Sequence, residues 1–407
     1  MKYPFLLLWA WLAAMPLPAQ TDYRNEFSVS DTIFVQETNP ATDNWLSARL
    51  DNLTEDPLLH SVQLGMMVYD LTDRRPVYSW NERYRMRPAS VEKVATSVTA
   101  LDMLGPQFKY HTYLRYVGTL HGDTLRGNLY CIGGFDPTVR QSTLVAMADS
   151  LRRAGIRRIE GRIVADKSMK DTLMYGSGWC WDDDNPTLSP LLIDKKDRFV
   201  QEFRTVLAKR GFTLDVTLGE GRCPHGAVEV ADMATPILLV LDRMLKESDN
   251  LYAESMFYQV AAGQHATPVK AADGEKAVKQ LIQRMGYNPA PYSIADGSGL
   301  SPYDFLTPEI VVAFLRYAYE HPSIYPYFYQ SLPIAGRDGT LQNRMKKGRE
   351  YGNVHAKTGT VTGVSTLAGY CRAANGHELC FAIFCQGAQK ASDARAFQDK
   401  VCAALCR

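Results

Sequence analysis

The chain has 407 residues, of which 46% are hydrophobic and 22% charged, and its formal net charge is +1. A chain of this length and composition can bury a large core and form two or three domains. The near-neutral charge, without a long basic run, argues against nucleic acid as a partner.

The first residues are typical of a secretory signal peptide. Lys2 precedes a short apolar stretch at residues 5–14, and residues 16–19 offer a cleavage site. We therefore predict a signal peptide over residues 1–19 and a mature protein in the periplasm. An uncleaved membrane anchor is the alternative, but this stretch is shorter than the roughly 20 residues that span a bilayer. No later stretch is apolar enough to do so, so no transmembrane segment is expected in the mature protein.

Two strands and a helix are predicted next. Residues 61–70 and 77–80 read as strands joined by a turn. Apolar residues then recur at helical spacing from Val91 to Leu104. Ser90 and Lys93 stand at the start of this helix, three positions apart and therefore on one face. A desolvated lysine amine can take the proton of a serine hydroxyl and activate it as a nucleophile. By itself the pair is a weak signal, and a helix cap followed by an exposed lysine is the commoner explanation of such a spacing.

Residues 114–189 have the pattern of a small inserted α/β domain. A hairpin is predicted at residues 111–117 and 125–132, followed by a glycine turn that contains Asp136, a helix at 142–154 and a strand at 161–166. Residues 20–113 and 190–407 are expected to form one discontinuous catalytic domain around this insertion.

The rest of the chain is rich in helices and ends in strands. Helices are predicted at residues 195–210, 236–246, 271–285 and 307–320, another begins at 254, three strands follow between 353 and 386, and a last helix covers 393–405. This order predicts an α/β (α+β) fold, in which a sheet is flanked by helices and interrupted by the insertion.

The sequence has eight cysteines, and none forms a Cys-x-x-Cys pair, which argues against a zinc or thioredoxin-like site. Export would permit disulfides. Asn375-Gly376 is typical of a two-residue hairpin turn, and counting outward from it sets Cys371 opposite Cys380. A disulfide between these two residues is therefore a prediction.

Two further motifs supply groups that a serine hydrolase needs. Ser248-Asp249-Asn250 lies between two predicted helices and offers a hydroxyl and an amide, although such tripeptides are common in turns. Lys357-Thr358-Gly359-Thr360 begins a late strand, where the glycine permits a close approach to the backbone. The alternative for this second motif is a solvent-facing strand start.

Together, and in this order, the three motifs resemble those of the penicillin-recognising serine enzymes. The resemblance is closer to the D-alanyl-D-alanine carboxypeptidase/endopeptidase family, the class C low-molecular-mass penicillin-binding proteins. It covers the chain from about residue 45 to the C-terminus, and its blocks are residues 88–93, 133–138, 178–183, 248–254, 296–300 and 331–341. It implies a β-lactamase/transpeptidase-like fold, with an antiparallel sheet flanked by helices, an all-helical subdomain and the small α/β insertion.

The resemblance implies a role for each catalytic residue. Ser90 would attack the carbonyl between two D-alanines and become acylated, with Lys93 as the base. Ser248 would pass a proton to the leaving amine, Asn250 would hold the substrate amide and Lys93, and Lys357 would add positive charge near the substrate carboxylate. No cofactor and no metal is implied.

The resemblance also implies binding residues. Thr358 and Thr360 would hold the substrate carboxylate beside Gly359, and the backbone N–H groups of Ser90 and Thr360 would form an oxyanion hole. Asp136 would contact the free amine of a diaminopimelate side chain, although capping of its own turn is an equally good interpretation.

The implied substrate is the peptidoglycan stem peptide, cleaved at its terminal D-Ala or at the D-Ala-to-diaminopimelate cross-link, and β-lactams would acylate the same serine. A β-lactamase or esterase on this fold is the enzymatic alternative, and a catalytically silent peptidoglycan-binding protein is the other.

Family members usually carry two inserted domains. Here the chain passes from residues 181–183 to the next predicted helix within about 15 residues, so the second inserted domain is expected to be missing or reduced.

Overall fold

The structure, a computed structural model, describes residues 44–180 and 185–407. The predicted signal peptide at residues 1–19 lies outside these ranges. Among the residues described, no helix is both long enough and apolar enough to cross a membrane.

Five strands form an antiparallel sheet that holds the predicted late strands. They are β1 (Gln63–Asp70), β2 (Arg75–Trp80), β8 (His355–Val361), β9 (Val364–Arg372) and β10 (Glu378–Gln386), arranged in the order β2-β1-β10-β9-β8. The strand β8, which carries the Lys357 motif, is therefore at one edge of this sheet. The predicted strands at 61–70, 77–80 and 353–386 are confirmed.

Each face of this sheet is covered by helices, because the central strand β10 is apolar on both sides. Alternate residues of β10 enter two separate cores: Cys380, Ala382 and Phe384 in one, and Phe381 and Ile383 in the other. The helices α1 (Asn44–Thr54) and α10 (Ala391–Leu405) pack on the second of these cores. The helix α8 (Pro308–Glu320) packs on the first.

The first core continues into a group of helices that positions the site. The helix predicted from Val91 to Leu104 is observed as a short 3-10 turn at Ala89–Val91 that leads into α2 (Glu92–Met103). Around α2 lie α5 (Ile237–Lys246), α6 (Asn250–Gln264), α7 (Ala271–Arg284) and, further out, α9 (Tyr325–Ser331). This arrangement agrees with the expected all-helical subdomain.

A second five-stranded sheet forms the insertion. Its strands are β3 (Lys109–His121), β4 (Thr124–Gly133), β5 (Arg158–Asp166), β6 (Thr213–Glu220) and β7 (Val228–Pro236), in the order β6-β5-β4-β3-β7. Its core is closed by α3 (Gln141–Arg153) and α4 (Phe199–Lys209).

The insertion is larger than the sequence pattern indicates. The expected bounds were 114–189, but β6 pairs in parallel with β5, and β7 pairs antiparallel with β3. The helix α4, expected in the catalytic domain, packs in the core of this second sheet. We therefore propose residues 109–236 as the bounds of the inserted domain.

The predicted Cys371–Cys380 disulfide is wrong. Cys371 lies opposite Leu379, and Cys380 lies opposite Tyr370, because Ala373 and His377 also pair and the loop holds residues 374–376. A one-residue change of register moves a side chain to the other face of a sheet. Cys371 and Cys380 accordingly point into different cores. All eight cysteines are free thiols, and burial raises the pKa of Cys380.

Candidate active site

Ser90 is held at a sharp turn of the chain just before α2. The residue before it, Ala89, is buried and has φ of 46°, in the left-handed region that L-residues with a side chain seldom adopt. Such strain persists only where the surrounding structure imposes it. Ser90 itself is half-buried. The constrained turn therefore fixes the backbone at Ser90 immediately before α2.

The Lys93 amine lies beside that hydroxyl, as helical spacing predicts. Lys93 Nζ is 3.0 Å from Ser90 Oγ and donates to Asn250 Oδ1 at 2.8 Å and to Ser298 O at 2.7 Å. The lysine is completely buried. Burial lowers its pKa to about 8, against the opposing effect of nearby carboxyls, Asp296 first among them. Lys93 therefore loses its proton more readily than an ordinary lysine, as a general base for Ser90 requires.

A second serine–lysine pair joins the loop before α6 to the edge strand β8. Lys357 Nζ donates to Ser248 Oγ at 2.8 Å and to Thr358 O at 2.6 Å. Lys357 is buried, and its pKa is lowered by that burial and then by the charge of Lys93. Ser248 has φ of 58°, so this turn too is held in the left-handed region. Because Lys93 also binds Asn250, the structure brings residues of all three predicted motifs to one site.

Asp249, between Ser248 and Asn250, anchors this loop from behind. Its Oδ2 accepts from Lys195 Nζ at 2.6 Å and from Arg243 Nε at 2.9 Å. Burial opposes ionisation of Asp249, but these two cations outweigh it and lower its pKa. A cavity of about 510 Å³ lies beside the loop and is lined by residues of both domains. The ion pairs hold Ser248 and Asn250 at the rim of this cavity.

The strand β8 passes close to the nucleophile at Gly359. A Cβ built on Gly359 would lie 2.2 Å from Thr366 Oγ1, 2.8 Å from Pro88 O and 2.9 Å from Ser90 N. The Thr366 hydroxyl donates to Pro88 O at 2.7 Å and so ties the turn before Ser90 to the sheet. Only glycine fits between the strand and this turn, which agrees with the close approach expected of Gly359.

Replacing Gly359 by alanine is expected to lower the rate of Ser90 acylation on the order of 100-fold, since displacing reacting groups by about 1 Å has an effect of this size. The measurement is the rate of labelling by a fluorescent penicillin. Gly221→Ala is the matched control, because its Cβ would meet only Val164 Cγ1, at 3.8 Å. Equal labelling rates in both variants would contradict the predicted clash at the nucleophile.

The two threonines of the strand motif also have partners outside it. Thr358 Oγ1 donates to Thr340 Oγ1 at 2.7 Å, and Thr360 Oγ1 accepts from Arg395 Nη2 at 3.2 Å. Thr360 is exposed and Thr358 is half-buried. Hydroxyls flanked by Lys357 and Arg395 suit a carboxylate ligand.

Asp136 lies in the turn after β4 and is only 3% exposed. Its Oδ1 accepts from Thr138 N at 2.8 Å and from Thr138 Oγ1 at 2.7 Å. These bonds favour the interpretation that Asp136 caps its own turn. A contact between Asp136 and a substrate amine stays a prediction.

Some site residues escaped the sequence reasoning. The carbonyl of Ser298 binds Lys93, and Thr340, Thr366 and Arg395 orient the motif residues. Blocks 296–300 and 331–341 belong to the family resemblance and contain Ser298 and Thr340, so that signal was available. Nothing in the sequence pattern points to Thr366 or Arg395.

One cluster among the described residues has the composition of a metal site, and it lies elsewhere. Asp70, Asp73 and His377 bring their ligand atoms within 4.8 Å of one another at the turns after β1 and β9. His377 Nδ1 is 2.7 Å from Asp70 Oδ2, and this carboxylate raises the pKa of His377. The contact is explained by an ion pair that joins two turns.

Comparisons with known proteins agree with this geometry. The model of the D-Ala-D-Ala carboxypeptidase 3 (S13) family matches residues 46–194 and 188–406. The D-alanyl-D-alanine carboxypeptidase DacB of Haemophilus influenzae is 26% identical over an alignment that covers 80% of this chain and 85% of the relative. The D-alanyl-D-alanine carboxypeptidase of Actinomadura sp. is also 26% identical, over 83% of this chain and 80% of the relative.

Solved structures share the fold. Penicillin binding protein 4 of Haemophilus influenzae superposes with a TM-score of 0.80 at 24% identity, covering 86% of this chain and 97% of that one. A predatory endopeptidase from Bdellovibrio bacteriovorus gives 0.57 at 19% identity, covering 83% and 91%. The predicted α/β, β-lactamase/transpeptidase-like fold is confirmed.

Proposed function

The chain belongs to the D-Ala-D-Ala carboxypeptidase 3 (S13) family, and on this premise we propose that it hydrolyses its substrate through an acyl-enzyme on Ser90. It is a serine-type D-Ala-D-Ala carboxypeptidase. The observation that carries the assignment of residues is the bonding of Lys93 Nζ to both Ser90 Oγ, at 3.0 Å, and Asn250 Oδ1, at 2.8 Å. These bonds link the nucleophile to the loop of the second motif.

Acylation begins at Ser90. Neutral Lys93 takes the hydroxyl proton as Ser90 Oγ bonds to the carbonyl carbon between the two D-alanines. The bond from this carbon to the terminal D-Ala nitrogen then breaks, and the leaving amine takes a proton from the Ser248 hydroxyl, which Lys357 restores. The products of this step are free D-Ala and an ester on Ser90.

Deacylation uses one water molecule. Lys93 first releases to solvent the proton that it took from Ser90, and Lys357 takes one up, so both lysines regain their starting states. Neutral Lys93 then takes a proton from the water as its oxygen attacks the ester carbon, and it passes this proton to Ser90 Oγ as the ester bond breaks. The shortened peptide leaves with a new carboxylate. In both steps the N–H groups of Ser90 and Thr360 are the proposed donors to the oxyanion, and the position of Gly359 beside Ser90 N supports this role.

We place the substrate carboxylate at the edge of β8. Thr358, Thr360 and Lys357 would bind it, because their hydroxyls and amine lie along one short stretch of an edge strand. A peptide at this edge can add to the sheet as a further strand. The proposed substrates are peptidoglycan stem peptides that end in D-Ala-D-Ala, and also the D-Ala-to-diaminopimelate cross-link.

β-Lactams are proposed as covalent inhibitors at the same serine. The Haemophilus penicillin binding protein 4 has also been solved in complex with a β-lactam, and that structure superposes with a TM-score of 0.74 at 23% identity. We further propose that the enzyme works in the periplasm, where peptidoglycan is accessible.

The rate of acylation should depend on pH through Lys93. Because burial lowers the pKa of this amine to about 8, its neutral form increases as the pH rises through that value. The acylation rate is expected to increase with pH by up to about tenfold per unit below about pH 8 and to level off above it. A profile that levels off only near the ordinary lysine range, above about pH 10, would contradict this role.

The function is tested with two substrates. A peptide ending in D-Ala-D-Ala should release free D-Ala, whereas the same peptide ending in L-Ala-L-Ala should not. A fluorescent penicillin should form a persistent adduct on Ser90. Rapid release of that label would favour a β-lactamase, and absence of both adduct and D-Ala would favour a silent binding protein.

A further inference from the structure

Four carboxyl groups lie buried beneath the catalytic lysine, and the acylation chemistry above uses none of them. Glu92 is the first residue of α2, Glu254 lies on α6, and Asp296 and Asp304 flank the loop whose carbonyl binds Lys93. Their exposed fractions are all between 0% and 1%. Three of them, Glu92, Glu254 and Asp296, interact electrostatically with Lys93.

These carboxyls differ in how well their oxygens are bonded. Asp296 accepts bonds from Ser298 N at 2.9 Å, Gly299 N at 2.6 Å, Ser301 N at 2.7 Å and Trp179 Nε1 at 2.8 Å. So many donors stabilise an ionised carboxylate. Glu254, in contrast, accepts a bond from Gly297 N at 3.3 Å through Oε2, while its Oε1 has no partner among the described residues.

The loop connects Glu254 to Lys93 through consecutive residues. Gly297 donates to Glu254, the Gly297 carbonyl accepts from Thr96 Oγ1 at 2.7 Å, and the next carbonyl, that of Ser298, accepts from Lys93 Nζ. Glu254 therefore touches the same short segment that positions the base. Any change of charge on Glu254 acts on Lys93 across a region without solvent, where screening is weak.

The charges in this region limit how many carboxyls can be ionised. One protonated lysine can balance only one carboxylate of this cluster, and each further carboxylate would be a buried charge without a partner. A carboxyl in such a position binds a proton instead. Burial and the charge of Asp296 raise the pKa of Glu254 to about 8, and the pKa values of Glu92 and Asp304 are raised well above their ordinary values by the same two causes.

We propose that Glu254 is a positioning residue that controls the base: protonated Glu254 leaves Lys93 free to accept the Ser90 proton, and ionised Glu254 holds Lys93 as an ammonium ion. This inference rests on the proposed role of Lys93. Near neutral pH the two groups share protons and titrate as a coupled pair rather than independently. The other charged groups that face this pair from the surrounding elements are Glu92, Asp249, Asp296, Asp304, Glu275 and Lys357.

The test is the pH profile of penicillin acylation in Glu254→Gln, measured from about pH 6 to about pH 10. The glutamine keeps the shape of the protonated acid but cannot ionise, so the rising limb is expected to move to lower pH and become steeper. Near pH 8 the acylation rate, expressed as a fraction of the maximal rate of the same protein, should be about threefold higher in the variant than in the wild type. Glu229→Gln, at an exposed carboxylate of β7 that pairs with Arg115 at 2.8 Å, should leave the limb unchanged.

The proposal would be overturned if the rising part of the pH profile of Glu254→Gln coincided with that of the wild type, or if the acylation rate were lowered equally at every pH. Glu254 would then have only a structural role. A second measurement uses the wild type, so it does not depend on the variant folding. The infrared carbonyl band of buried protonated acids should be present at about pH 6 and shrink over the pH range in which acylation rises, because both protons of the coupled pair must leave before Lys93 is fully neutral; a band that stays unchanged over this range would also overturn the proposal. Failure of the proposed function is distinct, because the wild type would then form no adduct on Ser90.

Discussion

Ser90→Ala is expected to lose acylation by penicillin completely and to release D-Ala at least about 10⁴-fold more slowly than the wild type. Removing the nucleophile of a serine hydrolase leaves only the residual catalysis of binding and oxyanion contacts. The measurements are the mass of the penicillin adduct on the intact protein and the rate of D-Ala release. Because Lys93 keeps its bonds to Asn250 and Ser298, the melting temperature should change by no more than about 2 °C.

The matched control is Ser150→Ala on α3. Ser150 is buried, and its hydroxyl donates to Ala146 O at 3.1 Å in the inserted domain. This variant removes the same hydroxyl from a helix remote from the chemistry, so it should label at the wild-type rate. If Ser90→Ala still gained the mass of the penicillin adduct to the same extent as the wild type, another residue would be acylated, and the assignment of the nucleophile would fail.

Lys93→Met is expected to slow acylation on the order of 10³-fold, because the Ser90 proton then has no base to receive it. Methionine fills most of the lysine volume without its charge. The substitution leaves Asn250 Oδ1 and Ser298 O without their donor, at about 1–3 kcal/mol for each, and it also removes the cost of burying an amine. The acylation rate is therefore measured on the folded fraction, alongside the free energy of unfolding.

Lys170→Met separates loss of the base from loss of a buried lysine. The Lys170 side chain is also fully buried, but its amine donates to Asp171 Oδ1 at 2.9 Å and to Leu173 O at 2.6 Å, away from Ser90. This control should lose about 2 kcal/mol of stability or more and keep the wild-type acylation rate. If Lys93→Met acylated within about tenfold of the wild type, the general base would have to be another group.

Much of the catalytic assignment follows from short stretches of sequence. The spacing of Ser90 and Lys93 on a predicted helix is sufficient to place amine and hydroxyl together, because i and i+3 positions share a face. The motifs at Ser248 and Lys357 supply the remaining groups, and their order along the chain indicates the family. These features are local, so they can be predicted from the sequence without knowledge of how the helices pack.

The size of the insertion depends on pairing between distant segments. Leu214, Val216 and Leu218 alternate in β6 as an amphipathic strand does, and this pattern could have been recognised. That β6 and β7 belong to the sheet of β5 and β3 is decided by strand pairing across many residues. The cysteine register failed for a related reason, since one extra residue in the loop at 374–376 reverses which face Cys371 occupies.

The sequence by itself indicated Ser90 and Lys93 as candidate nucleophile and base and gave the order of the three motifs, since each motif consists of residues a few positions apart. Only the tertiary structure decided what holds Lys93 in place and what lowers its pKa. The carbonyl of Ser298 that binds Lys93 is 205 positions away, and a backbone carbonyl has no signature in a sequence. The buried carboxyl of Glu254 likewise becomes a partner of the base because packing removes water from both groups, and burial is a property of the folded chain.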